Sequence, residues 1–212
     1  AIAGGVMHRL VIAPILNTAP INQLLVTGGM LFFLQGAATL AFSTEFRNLG
    51  LHLPTLEIAE MYISVSRLLA FGAAIVGAAG LYWFLHSTFT GRAIRAVSQD
   101  REVMVLMGVD TKKIYVITSA IGGGLAGLSA ILLSLQYDVH PFVGLQFGPI
   151  TFIICVLGGL GNMFGGFIAA IIISEIIAVG GYFASVELSY SIAFGLFIVV
   201  MFIRPQGIFK KS

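Results

Sequence analysis

Two polar side chains stand where an apolar chain tolerates them least. Glu175 lies inside the apolar window Met163 to Tyr182, and Gln35 lies near the middle of the window Ile21 to Ser43. If these windows cross a bilayer, the carboxylate needs a partner, a proton or water, which makes it a candidate for a substrate, proton or ion path. Pairing with a neighbouring helix, or reaching toward the outer surface, accounts for Glu175 equally. Gln35 either lines a polar path or hydrogen-bonds across helices. The four histidines, His8, His52, His86 and His140, fall near window ends in separate loops and show no metal-ligand spacing. No Ser/His/Asp set, phosphate loop or carboxylate pair is placed for acid-base work. The reading is therefore not an enzyme, with no cofactor and no metal.

The elements that position these side chains follow from composition. Hydrophobic residues make up 58% of the chain and charged residues 9%, and its mean hydropathy is +1.01. A soluble domain carries roughly one-quarter charged residues, so the chain is read as a membrane protein. Crossing a hydrocarbon core takes about 20 residues at about 1.5 Å each. Windows of that kind occur at Ile21 to Ser43, Leu68 to His86, Ile114 to Leu135, Pro141 to Leu160, Met163 to Tyr182 and Leu188 to Ile203. These predict an all-α, polytopic membrane helical bundle. Pro141, Gly144, Gly148 and Pro149 interrupt the fourth window, which reads as either a full span or a broken, re-entrant helix. The opening "AIAGGVMHR" reads as the tail of a span begun upstream, so the domain is expected to lack its N-terminal helices.

Charge sets the orientation. With the segment 90–113 in the cytoplasm, Arg9, Arg92, Arg95, Arg101, Lys112, Lys113, Arg204, Lys210 and Lys211 all fall inside, and Arg47 and Arg67 outside. All six tyrosines and Trp83 lie near window ends, as interfacial belts require. A net charge of +2, scattered over short loops, argues against nucleic acid. The single cysteine, Cys155, sits in an apolar run and reads as packing.

Small residues predict where helices approach. Gly166, Ala170, Ser174 and Ala178 recur every fourth residue after the turn "GGLGNMFGG", and Gly123 with Gly127 forms a second pair. Gly158, Gly159, Gly161 and Gly165 are expected to allow close backbone contact at that turn, whereas Gly207 is expected to be exposed. A dinucleotide fingerprint around Gly159 and Gly161 would need a strand before it and a helix after, and the flanks here are apolar spans.

One mixed-charge run, "TGRAIRAVSQDREVMVLMGVDTKK", separates two oily stretches. From Gln99 to Met107 the residues are good helix formers, with Ser98 or Asp100 as N-cap and Gly108 just past the C-terminus. Asp110 can cap the next span, with Lys112 and Lys113 at its edge. The segment 90–113 thus predicts a helical elbow outside the bilayer. Val103, Met104, Leu106 and Met107 give it an apolar surface, beside Arg92, Arg95, Asp100, Arg101 and Glu102. Acids among the bases weaken attraction to anionic lipid, and the reading favours a protein partner over a helix resting on headgroups.

Three stretches, "GRAIRAVSQDREVMVLMGVD", "VLGGLGNMFGGFIAAIIISEIIA" and "FIRPQGIFKK", resemble the permease subunits of branched-chain amino-acid ABC importers, the LivH type. The resemblance runs from "HRLVIAPILNTAP" to "RPQG" and implies one transmembrane permease domain over 1–212 in the cell (inner) membrane. It implies that the elbow is the coupling helix, carrying Arg92, Arg95, Gln99, Asp100, Arg101, Glu102 and Gly108 toward an ATP-binding subunit. The general importer pattern of an acid, two alanines and a later glycine survives only as Glu102 and Gly108, with Val103 and Met104 in place of the alanines. The implied partners are two ATP-binding subunits, a second related permease subunit and an extracytoplasmic substrate-binding protein, beside the lipid bilayer. The implied substrates are leucine, isoleucine and valine, although related permeases serve urea, amides and other small solutes. Two other readings stand beside it: a secondary transporter or channel with Glu175 as its ion or proton site, and a structural membrane subunit that moves nothing.

Overall fold

The computed structural model describes residues 1–16, 18–48, 55–58, 61–159, 161–183, 185–204 and 207–208. His52, Leu160, Lys210 and Lys211 lie outside the described residues. The chain is an all-α membrane bundle in two compact units, Ala1–Pro141 and Phe142–Ser212.

In the first unit, α1 (Ile2–Met7), a π-helical turn (His8–Ile12) and α2 (Ala13–Ile15) run on as one helix. The register widens just ahead of Pro14, which has no N–H to donate to the preceding turn. Next come α3 (Pro20–Phe42), a hairpin of β1 (Thr55–Ile58) and β2 (Met61–Ser64), and α4 (Val65–Ser87). The elbow is α5 (Phe89–Gln99) and α6 (Arg101–Leu106), followed by α7 (Thr111–Ser134). The hairpin pairs antiparallel from Thr55 opposite Ser64 to Ile58 opposite Met61. It was not foreseen in the stretch between windows, where Leu56 and Ile58 alternate with Thr55 and Glu57.

Glycine fixes the tightest helix crossing of this unit. A Cβ on Gly123 of α7 would stand 2.9 Å from the Gly4 Cα of α1, so the two backbones touch. Gly127, one turn on, has nothing within 4 Å of such an atom. Beyond α3 and α7 the chain segments are joined by a bridge in which Arg47 and Val139 exchange backbone hydrogen bonds of 3.0 and 2.9 Å. The Asn48 amide adds a 2.8 Å bond to the Asp138 carboxylate.

The second unit is α8 (Val143–Gly158), α9 (Met163–Phe183) and α10 (Val186–Ile203). Its core is Ile153 and Leu157 of α8 against Ala169 and Ile173 of α9. Ser189 of α10, fully buried, faces the Gly180 backbone of α9, where a Cβ would stand 2.9 Å from its hydroxyl. The buried row of α9 is Gly165, Ala169 and Ile173, one position before the row Gly166, Ala170 and Ser174, and Ser174 is exposed.

Apolar residues of these helices mostly face outward: Leu40 is 91% exposed and Phe202 87%. No described residue in the most apolar 18-residue stretch of α3, α4 or α7 is buried, while Thr111 and Ile114, at the start of α7, are. Patches of this extent are not left to water; they are surfaces that lipid or another protein covers. Among the described residues four helices, α3, α4, α7 and α9, are long and apolar enough to cross a membrane. The windows ending at Leu160 and Ile203 correspond to the shorter helices α8, of 16 residues, and α10, of 18.

Candidate functional site

The elbow is built by local capping. The Thr88 hydroxyl accepts the Gly91 N–H at 3.0 Å and donates to the Phe84 carbonyl at 2.8 Å, closing the corner between α4 and α5. Gly91 makes that corner possible, because a Cβ there would lie 2.6 Å from the Leu85 Cα. Sequence reasoning missed Gly91; a glycine three residues after a capping threonine was the available signal.

Between α5 and α6 the chain is extended at Asp100, whose carboxylate accepts the N–H groups of Glu102 and Val103 at 2.9 and 3.0 Å. This is the N-cap of α6. Ser98 instead turns back, its hydroxyl donating to the Arg95 carbonyl at 2.7 Å. At the other end Gly108 has φ +80°, with the Val109 N–H bonded to the Met104 carbonyl and the Gly108 N–H to the Val105 carbonyl. That double closure is a Schellman motif, for which glycine is the favoured residue. Asp110 then caps α7: its carboxylate accepts the Lys113 N–H at 3.2 Å and meets the Lys113 ammonium at 3.3 Å. The Lys113 backbone N–H is the main cause that holds the Asp110 carboxyl below its ordinary range.

Packing sorts the elbow into two faces. Ala93 and Val97 of α5 are buried against Ile114 of α7, and Met104 of α6 packs onto the same cluster. Met104 therefore holds the elbow together from inside. Leu106 is 87% exposed and Met107 74%, with Val103 also exposed, so the apolar outer face runs at i, i+3 and i+4. On α5, Arg92, Arg95 and Gln99 are exposed at helical spacing, and Asp100, Arg101 and Glu102 continue the polar rim. Six capped residues with an apolar outer face and a polar rim form a rigid peg. Burial of such a face against a groove is how helix-in-groove recognition works.

The elbow is wired to the helices beneath it. The Arg101 guanidinium lies over the Tyr115 ring of α7, 5.6 Å from its centroid. That ring is 6.0 Å from the buried His8 ring, and His8 Nδ1 is 3.0 Å from the Ser119 hydroxyl.

Gln35 is half-buried on α3 in the first unit, and Thr39 donates to its backbone carbonyl. Glu175 is exposed on α9 in the second unit, outside the three-helix core and two positions past buried Ile173. The turn glycines divide by cause. A Cβ on Gly158 would run into the Gly165 and Gly166 backbone of α9. Gly159 and Gly161 instead have φ of +85° and +89°, a conformation glycine adopts without penalty, and Gly161 has no neighbour within 4 Å of an added Cβ. Asn162 caps α9, its side-chain oxygen accepting the Gly165 N–H at 3.0 Å.

Gly207 corrects an expectation. It is buried, with φ +90°, and a Cβ on it would stand 2.7 Å from the Gly159 Cα. The following Ile208 N–H bonds the Leu157 carbonyl at 2.9 Å, so Gly207 and Ile208 cover the end of α8 and satisfy one of its terminal carbonyls.

Comparison with known proteins follows the same lines. Residues 1–201 match the family described as "Branched-chain amino acid transport system / permease component". The chain is 29% identical over 212 residues to the high-affinity branched-chain amino acid transport system permease protein BraD of Pseudomonas aeruginosa, covering 97% of this chain and 69% of that protein. It is 27% identical to the corresponding permease protein LivH of Escherichia coli, covering 98% of this chain and 70% of that one. A probable branched-chain amino acid transport permease protein LivM of Methanocaldococcus jannaschii is 27% identical over 60% of this chain and 41% of its own. No solved structure matches.

Proposed function

The chain belongs to the family of branched-chain amino acid transport permease components, and we propose that it is the membrane-crossing subunit of an ATP-driven importer of branched-chain amino acids. The observation that carries this reading is the elbow: a doubly capped six-residue helix outside the spans, with Leu106 and Met107 exposed on it and Arg92, Arg95 and Gln99 exposed on the preceding helix α5. A secondary transporter or channel has no use for such a peg.

In this mechanism the permease does no chemistry. Two ATP-binding subunits hydrolyse ATP, and their closure draws the elbows of this chain and of a second related permease together. The helices rock in response, and a substrate delivered by an extracytoplasmic binding protein leaves on the cytoplasmic side of the inner membrane. A motion of this kind transports only if the partners prefer different states of the permease. The elbow can report that preference because Arg101, Tyr115 and His8 form a packed line from α6 to α7 and the N-terminal helix. In this reading Gln35 of the first unit and Glu175 of the second are each, separately, a candidate for contact with the substrate. A carboxylate on the outside of its own three-helix unit is stable in a membrane if it faces water or a partner subunit rather than lipid.

Purification in mild detergent tests the reading. An ATP-binding subunit and a second permease should copurify, and the complex in proteoliposomes should take up leucine, isoleucine or valine only with ATP and the binding protein. Uptake driven by an ion gradient without ATP would rule it out.

A further inference from the structure

A cleft of about 690 Å³ opens in the first unit, where the π turn, α2 and the start of α7 come together. Its lining joins four cations, Arg9, Arg101, Lys112 and Lys113, to apolar side chains such as Leu16 and Ile117. No carboxylate is among the described residues that line it. Two of the cations have partners: Arg101 lies on the Tyr115 ring, and Lys113 meets Asp110 in an exposed pair. Arg9 and Lys112 make no ion pair among the described residues, yet both are directed to this cleft from different helices.

The cleft also has a definite depth in the membrane. Lys112 and Lys113 are in the first turn of α7, a helix of 24 residues long enough to cross the bilayer, so the cleft lies where headgroups meet acyl chains. Concentrated positive charge beside an apolar wall at that level is relieved by one kind of molecule, an anion with a hydrocarbon tail. Basic pockets between membrane helices bind phospholipid headgroups for this reason. The widened π register at His8–Ile12 adds an independent feature, because such turns reposition side chains and recur at binding sites.

We propose that this cleft binds an anionic phospholipid, with the headgroup phosphodiester held by Arg9 and Lys112 and the hydrocarbon against the apolar wall. The lipid sits under the elbow beside Arg101, so it stiffens the line from α6 to α7. The proposal does not depend on which solute the protein moves.

The test is native mass spectrometry of the full chain, purified with the subunits that accompany it, after exchange into mixed phosphatidylglycerol and phosphatidylcholine. The wild type should retain phosphatidylglycerol in preference to phosphatidylcholine. Arg9→Gln/Lys112→Gln should lower that retention by about tenfold or more, since each cation near a charged headgroup contributes measurably. Arg204→Gln, an exposed cation of the other unit, should leave it unchanged. Both replaced residues are exposed, and equal melting temperatures establish that the variant folds; Lys112→Gln alone serves if the double variant does not. Equal retention of the two lipids, or an equal loss in Arg204→Gln, would overturn the proposal. Displacement of the lipid by millimolar inorganic phosphate would also overturn it, identifying a free-phosphate site. Unchanged lipid retention with loss of a copurifying subunit would assign the cleft to a protein partner instead.

Discussion

The Arg101 guanidinium of α6 stands 5.6 Å from the centroid of the Tyr115 ring of α7, which joins the elbow outside the spans to a helix that crosses the membrane. A cation over an aromatic face at an exposed site contributes about 0.5–1 kcal/mol. That is small for stability and sufficient for coupling, where a few-fold shift between two states is the quantity that matters. Arg101→Ala and Tyr115→Leu should each reduce uptake per ATP hydrolysed in proteoliposomes. The double variant should be no worse than the more impaired single one. Additive losses would mean that the two side chains act separately.

Backbone contact makes a sharper prediction. Gly158→Ala drives a methyl group into the Gly165 and Gly166 backbone, and overpacking of this kind costs about 1–3 kcal/mol. At Gly127, in mid-helix with nothing within 4 Å, the same change should be neutral or stabilising by up to about 1 kcal/mol. Thermal melting of the purified complex separates the two. Equal effects would remove close approach as the reason for Gly158.

The cap at Asp110 carries a pH signature. Its folded carboxyl lies below the ordinary 3.8, chiefly because the Lys113 N–H favours the charged form. A depressed carboxylate contributes stability that is fully present above 3.8 and is lost as pH falls through the lower folded value. Hydrogen exchange at the start of α7 should therefore be constant from pH 7 to about 5, after correction for intrinsic rates, and loosen only on further acidification. Asp110→Asn keeps an acceptor and should flatten that dependence. A wild-type transition near neutral pH would point to another group.

The α6 part of the elbow was legible because capping is local, whereas Gln99, read as the start of that helix, is the last residue of α5, which the sequence reading did not separate. Asp100, Gly108 and Asp110 act within a few residues of themselves, so their spacing alone predicts a short helix followed by a second start. The split between Met104 and Leu106 was not legible: it depends on Val97 and Ile114 arriving from α5 and α7, contacts that a single helix pattern does not encode. Gly207 failed for the same reason, since its role is set by Gly159, far away in sequence. Of the row of small residues read on α9, Gly166 does meet the close approach of Gly158, whereas the buried row lies one position earlier and includes Ile173, a large residue that carries the contact small size was assumed to require. The hairpin was overshadowed by the length of the apolar windows on either side.

Glu175 gives a functional prediction. Since it is exposed outside its three-helix core, Glu175→Leu should leave expression and melting of the complex near the wild type while lowering uptake. Glu175→Gln, which keeps a polar group, should be milder. Normal uptake by the Leu variant would reduce Glu175 to a tolerated surface residue.

Leu106→Glu tests directly whether the elbow is the seat of the ATP-binding subunit. Leu106 is 87% exposed and lies outside the spans, so the change spares the fold and places a charge where an apolar contact is required. Quantitative copurification should show the ATP-binding subunit lost from the Leu106→Glu complex, with the permease itself still folded by thermal melting. Full retention of that subunit, with transport still coupled to ATP hydrolysis, would contradict the assignment of α6 as the docking helix.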